Sequence, residues 1–175
     1  MRIISGTYKN RKLFSPADNK VRPTSDRAKE TLFNILNNHL DFEGIRCMDL
    51  FCGTGNLGIE CISRGAEKCY FADMDVSLVK KNIEKLGAED KCIAIRTDSV
   101  SFLRNYSDEP VDLIFCDPPY NYIHYEELID CLKNLETFTV LEHSGNFILN
   151  DVYKNFVFLR KKIGTVNFTI FDFKK

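Results

Sequence analysis

Long apolar runs are missing from this chain, so no membrane-spanning helix is expected. The opening residues, Met1-Arg2-Ile3-Ile4 leading into Ser5-Gly6-Thr7-Tyr8-Lys9, carry no apolar region of signal-peptide type. Histidine is scarce. His39, His124 and His143 are scattered without metal-ligand spacing, so no metal site is expected. A disulfide pattern is missing too. The seven cysteines (Cys47, Cys52, Cys61, Cys69, Cys92, Cys116 and Cys131) are odd in number, form no C-x-x-C pair, and mostly fall in apolar segments. That pattern predicts buried thiols in a reducing cytosol. Repeats, low-complexity tracts and long linkers are also absent. Finally, there is no excess charge of one sign. The net charge is −1, which is unusual for a nucleic-acid binder.

The charge that is present is unevenly spread. Residues 1–29 hold eight Lys or Arg (Arg2, Lys9, Arg11, Lys12, Lys20, Arg22, Arg27 and Lys29) against Asp18 and Asp26, giving +6. The rest of the chain holds sixteen bases against twenty-three acids, giving −7. One basic face on a neutral body follows. At 175 residues the chain is one domain, or one domain with an appendage. The division expected is a basic amino-terminal hairpin and connector over 1–24, then the main domain over 25–175.

Along the chain, short β-like runs at Arg2–Ser5 and Lys12–Phe14 flank Gly6 to Arg11, which reads as a small hairpin with a basic tip. A polar connector with Pro16 and Pro23 follows. Ser25 or Asp26 can cap a helix whose apolar face is Ala28, Leu32, Ile35, Leu36 and Leu40. Strand and helix then alternate. Strands are expected at 45–51, 68–72, 92–96, 111–116 and 138–141, with helices to about Arg64 and near 76–86, 100–104 and 125–135. A terminal antiparallel hairpin is expected from Phe156–Leu159 and Val166–Phe171 across Gly164. This alternation predicts an α/β, Rossmann-like, doubly wound and mostly parallel sheet, with helices on both faces.

Two stretches carry chemistry. Asp117-Pro118-Pro119-Tyr120 follows the apolar run Val111 to Cys116 and so sits at a strand's carboxyl end. Open α/β sheets place their ligand crevices there. The prolines stiffen a turn that presents a carboxylate, carbonyls and an aromatic ring. A carboxylate and a carbonyl can accept both hydrogens of one amino group while a ring stacks beside it. The partner this suits is planar with an exocyclic amine, such as adenine, cytosine or guanine. A plain strand-to-loop turn is the competing explanation. Cys116 falls on the opposite side of the pleat from Asp117 and is read as core.

The second stretch is Gly53-x-Gly55-x-x-Gly58, which follows a strand and opens a helix. Asp73 ends the next strand, where an acid binds ribose hydroxyls. A nicotinamide dehydrogenase is therefore a real competitor. Asp49 argues against it, since an acid just before the glycine loop would repel a pyrophosphate. It suits S-adenosylmethionine, which carries an ammonium and a sulfonium and no phosphate. Asp98 ends the third strand, placed to accept from an adenine amino group. Simple capping roles for Asp49 and Asp73, and close helix packing for Gly58, are the alternatives, with Asp75 the better cap of its helix.

Asp49-Leu50-Phe51-Cys52-Gly53-Thr54-Gly55 followed by Asp117-Pro118-Pro119-Tyr120 resembles the amino-group methyltransferases of the class I S-adenosylmethionine-dependent fold. Met1 to Gly6, Arg11-Lys12-Leu13, and Arg22-Pro23-Thr24-Ser25-Asp26-Arg27-Ala28-Lys29-Glu30-Thr31-Leu32-Phe33-Asn34 narrow the match. They resemble the bacterial 16S ribosomal RNA guanine-N2 methyltransferases, the RsmD family. Ser99 to Leu103 and Leu141-Glu142-His143-Ser144 also fit. The sequence departs from the pattern at Ser5 and Asn10, where glycines are usual, and at Ile163, where an aromatic is common.

The resemblance implies methyl transfer from S-adenosylmethionine to the N2 of a guanine in small-subunit ribosomal RNA. The substrate is expected within an assembling subunit and the enzyme as a cytoplasmic monomer. It implies Asp117, Pro118 and Tyr120 as the catalytic set. It implies Asp49, Gly53, Thr54, Gly55, Asp73, Met74, Asp98 and Ser99 around the cofactor. Tyr8, Arg11, Lys12, Arg22, Pro119 and Tyr120 would hold the substrate. A DNA or other RNA amino-methyltransferase, and a binding module without catalysis, are the alternatives. No insertion fits a separate DNA-recognition domain, and the module would lack the acid or the aromatic of the motif.

Overall fold

The computed structural model describes residues 1–16 and 26–175. Alternating apolar segments fold into one seven-stranded sheet. Its strands are β1 (Arg46–Leu50), β2 (Lys68–Asp73), β3 (Cys92–Arg96), β4 (Leu113–Cys116), β5 (Phe138–His143), β6 (Val157–Ile163) and β7 (Val166–Asp172). The order across the sheet is β3-β2-β1-β4-β5-β7-β6. β1 to β5 are parallel, and β7 returns antiparallel between β5 and β6. The order reverses between β1 and β4, which is where a doubly wound sheet opens a crevice.

Helices α1 (Asp26–Asn37), α2 (Asn56–Ser63), α3 (Ser77–Leu86), α4 (Ser99–Asn105) and α5 (Tyr125–Lys133) cover both faces. Because strand side chains alternate, each strand feeds two cores. Cys47, Phe71, Phe115 and Val140 pack with Leu32, Phe33, Ile59, Val79 and Ile83 from α1, α2 and α3. Met48, Tyr70, Ile114, Cys116 and Leu141 pack with Val100, Leu103, Leu128, Ile129 and Leu132 from α4 and α5. Cys116 therefore faces the α4–α5 core, as expected, and its burial pushes the thiol pKa well above its ordinary value. Six cysteines are buried, Cys131 is half-buried, and all seven are free thiols.

The amino-terminal hairpin forms as a short pair of arms, with the Ile3 amide donating to the Arg11 carbonyl at 3.0 Å, the Asn10 amide to the Ile3 carbonyl at 2.9 Å and the Leu13 amide to the Met1 carbonyl at 3.2 Å. Arg2 and Lys12 form a single antiparallel bridge. The segment is also hydrogen-bonded to α2. The Ile4 and Ser5 amides donate to the Glu60 carboxylate at 2.9 and 3.0 Å, and the Thr7 amide donates to the Ser63 carbonyl at 2.7 Å. Gly6 is dictated by this approach. Its φ is +80°, and a Cβ there would stand 1.6 Å from the Ser63 oxygen. Asn10, where glycine is usual in the resembled family, takes a left-handed φ of 66°. Asparagine is among the few residues that adopt that conformation readily.

Under this segment lies a buried charge cluster. Lys29 and Glu60, both inaccessible, pair at 3.0 Å. Arg64 adds a second contact to Glu60 at 3.0 Å, and Lys29 also donates to the Arg2 carbonyl and to Asn56, each at 2.7 Å. The charged groups of this cluster thus all find partners, the condition under which such a pair is tolerated. A 3-10 helix at Asp151–Phe156, started by the Asn150 side chain accepting from the Val152 amide, was not expected from sequence. Among the described residues, no helix is long and apolar enough to cross a membrane.

Candidate active site

Four parallel strands end in acids on one side of the sheet. Asp49 and Phe115 are paired in register, as are Leu50 and Cys116, and Cys116 and Leu141. Asp117 therefore follows β4 directly beside β1, and its amide donates to the Leu50 carbonyl at 3.3 Å. Glu142 stands level with Asp117 on β5. Pleat alternation turns Asp49, Asp73, Asp117 and Glu142 toward the α1–α3 side of the sheet, where they meet a common cavity. Its volume is about 740 Å³, within the range of small-molecule sites. The lining includes Asp49, Gly53, Thr54, Asp73, Met74, Asp117, Pro118, Pro119 and Tyr120. Five acids line it, the fifth being Asp75, and the described lining contains no Lys, Arg or His.

The glycine loop is built by left-handed backbone. Phe51, Gly53 and Gly55 have φ of 57°, 51° and 75°. No atom lies within 4 Å of a Cβ built on Gly53, so that backbone is open to a ligand. Gly55 and Gly58 serve packing. A Cβ on Gly55 would stand 2.5 Å from Val79, and one on Gly58 2.5 Å from Phe71. Gly55 does not line the cavity. The acids brace the loop: Asp73 accepts from the Gly53 amide at 2.9 Å and from the Asp75 amide at 3.1 Å. Asp49 accepts from the Gly58 amide at 2.8 Å. Asp75, one residue ahead of Val76, accepts from the Ser77 amide at 2.9 Å, and Val76 holds the N-cap position of α3 without a side-chain cap.

The electrostatics follow from burial. Asp49 is buried, and desolvation drives its carboxyl pKa well above the usual range, with the Gly58 amide opposing and the negative fields of Asp117 and Asp73 adding. Burial raises the Asp117 pKa to about 6. Acids crowded without a lining cation among the described residues make a cavity that favours a positively charged ligand and disfavours a pyrophosphate. Above the cavity, Tyr120 is 60% exposed at the rim, and Met74 is 63% exposed. The Phe51 and Tyr122 rings meet edge to face, 5.3 Å apart, and join the glycine loop to the loop after β4.

Other expected site residues stand elsewhere. Asp98 caps α4 through the Ser101 amide at 2.9 Å, and Ser99 is buried; neither lines the cavity. Tyr8, Arg11 and Lys12 lie by the carboxyl ends of α2 and α3, the opposite end of the sheet from Asp117. The Tyr8 amide donates to Ser63, Arg11 donates to the Lys85 carbonyl at 2.7 Å, and Lys85 donates to the Lys12 carbonyl at 2.7 Å. Helices in a parallel α/β layer run against the strands, so these helix ends mark the strands' amino edge. Arg22 lies outside the described residues. Phe51, Tyr122, Glu142 and Pro16 line the cavity without having been singled out for it. Glu142 had a signal, as an acid closing an apolar strand; Phe51 and Tyr122 had none.

A doubly wound sheet with a glycine loop after β1, an acid-lined cavity and an Asp117-Pro118-Pro119-Tyr120 turn after β4 is that of an S-adenosylmethionine-dependent methyltransferase. The family model described as "Conserved hypothetical protein 95" matches residues 1–172, and the chain belongs to that family. "Ribosomal RNA small subunit methyltransferase D" of Haemophilus influenzae is 36% identical over 137 residues, covering 75% of this chain and 70% of that protein. The protein of the same name from Buchnera aphidicola is 34% identical over 169 residues, covering 92% and 86%. The solved structure of yhhF from Escherichia coli superposes with a TM-score of 0.80 at 30% identity, covering 98% of this chain and 96% of that one.

Proposed function

We propose that this chain methylates the N2 amine of a guanine in small-subunit ribosomal RNA. The observation that carries the proposal is Asp117, held beside β1 at the edge of an acidic cavity, with the Pro118 carbonyl and Tyr120 next to it. The relatives named for small-subunit RNA methylation supply the substrate class. S-adenosylmethionine, when bound, supplies an electrophilic methyl group on a sulfonium. Gly53 offers it open backbone, while Asp49 and Asp73 offer it negative charge.

The guanine amine is a poor nucleophile because its lone pair is delocalised into the ring. Asp117 and the Pro118 carbonyl accept its two N–H bonds and so favour a pyramidal nitrogen with its lone pair turned toward the methyl group. Ionised Asp117 then takes the proton that the methylated nitrogen sheds. Tyr120 stacks on the base, which must leave its own stack to reach the cavity. Rate comes from positioning and electrostatics. One chain holds both half-sites, so it works as a monomer, on an assembling subunit in the reducing cytosol that suits its free thiols.

The test is methyl transfer from labelled cofactor to small subunits lacking their modifications, followed by mapping of the product. N2-methylguanosine at one position is expected. Label on another base, or on protein, overturns the proposal.

A further inference from the structure

Resting on the guanine-N2 reading, we infer that Glu142 is the residue that selects guanine, by accepting the base's N1–H beside the amine held by Asp117. Glu142 closes β5 level with Asp117, since Cys116 and Leu141 are register partners. Neighbouring strands run about 5 Å apart, so the two carboxylates sit side by side. Both project to the same side of the sheet and both line the cavity. Glu142 is only 4% exposed. β5 also continues two residues, Glu142 and His143, past the level at which Leu113–Cys116 ends, which brings the Glu142 backbone into the regular strand. Its position is therefore fixed by the ladder to β7, where it pairs in register with Phe168.

The chemistry discriminates among bases. Guanine presents two adjacent kinds of donor on one edge, the N1–H and the N2 amine. Two adjacent acceptors complement that edge. Adenine and cytosine each offer an amine beside a ring nitrogen that is itself an acceptor. A carboxylate facing that nitrogen is repelled. Asp117 with the Pro118 carbonyl reads any exocyclic amine. A second buried carboxylate next to it turns the site from a general amine acceptor into one for guanine. A site built to hydrogen-bond a substrate group discriminates strongly, because a mismatched base sets its ring-nitrogen acceptor against a carboxylate acceptor.

The test compares reconstituted small subunits whose RNA carries either guanine or 2,6-diaminopurine at the methylated nucleotide. Both bases have the N2 amine; diaminopurine has an acceptor at N1. The wild-type chain is expected to prefer guanine by roughly tenfold or more in kcat/KM, the size of one good polar contact. Glu142→Gln, whose amide can accept or donate, is expected to bring the two substrates to near parity, with guanine transfer lowered and diaminopurine transfer unchanged or raised. Glu142→Asp keeps the charge and is expected to keep the preference at lower efficiency. It also provides the readout should Glu142→Gln fail to fold. Equal loss on both substrates in Glu142→Gln, or loss of the preference in Glu142→Asp, overturns the assignment. Wild-type chain that methylates neither N2 amine removes the guanine reading itself. Wild-type chain that methylates both equally removes only the role of Glu142.

Discussion

Glu60 and Asp117 are the same kind of group placed in opposite circumstances. Glu60 is fully buried and receives Lys29, Arg64 and the amides of Ile4 and Ser5. Asp117 is partly buried at the cavity, and among the described residues no cation pairs with it. The first carboxylate fastens two helices to the amino-terminal segment. The second keeps its acceptor capacity for something that arrives. Desolvation shows in the outcome, because it raises the Asp117 pKa to about 6. A buried acid saturated with partners is architecture, and a buried acid without a cation is a place for chemistry.

That contrast predicts effects of different kind. The largest concerns the paired acid. Lys29→Ala leaves Glu60 buried with one partner removed, which costs about 3–5 kcal/mol. Thermal unfolding should fall by roughly 10 °C or more. A drop within about 2 °C would mean that Arg64 and the amides suffice. Asp117→Ala should do the reverse, lowering turnover by roughly 100- to 1,000-fold, as for a lost transition-state contact, with little change in melting temperature. Near-normal methyl transfer by this variant would remove the role assigned to Asp117.

The cavity and the basic tip form a second contrast. Calorimetric titration should find S-adenosylmethionine or its demethylated product bound, and weakened by Asp73→Ala, which also frees the Gly53 amide. Tight NAD binding without either thioether ligand would contradict the reading of five lining acids. Tyr120→Ala should cost about 1–3 kcal/mol of substrate interaction, seen mainly in KM. The smallest effect is expected at the far end of the sheet. Replacing Arg11 and Lys12 together should flatten the salt dependence of RNA binding without changing cofactor affinity. An unchanged salt slope would show that the RNA is gripped elsewhere.

The cavity edge was legible because its parts are local. A strand, a glycine loop and a following acid are contiguous, and Asp117-Pro118-Pro119-Tyr120 is a single turn. Alternating strands and helices then leave few ways to order a sheet. The Lys29–Glu60 pair was not legible, because its partners lie on different helices and only tertiary packing joins them. The one available signal was a lone acid in the apolar turn Leu57-Gly58-Ile59-Glu60-Cys61-Ile62. The amino-terminal runs looked like strands by composition. They do pair across the tip through the Ile3 and Leu13 amides, while the Ile4, Ser5 and Thr7 amides go to the Glu60 carboxylate and the Ser63 carbonyl, a docking that composition does not signal. Asp98 looked like a ligand by position, and its side chain caps α4.

The pH dependence of single-turnover methyl transfer at saturating cofactor tests the central contrast most directly. A carboxyl whose pKa is raised to about 6 is ionised above that pH and protonated below it. Protonation removes an acceptor for the amine and the sink for its proton, so the rate should fall as pH drops through about 6. Asp117→Asn should be slow and lack that step. A wild-type rate flat through this window, or an Asp117→Asn variant with the same titration, would contradict the account.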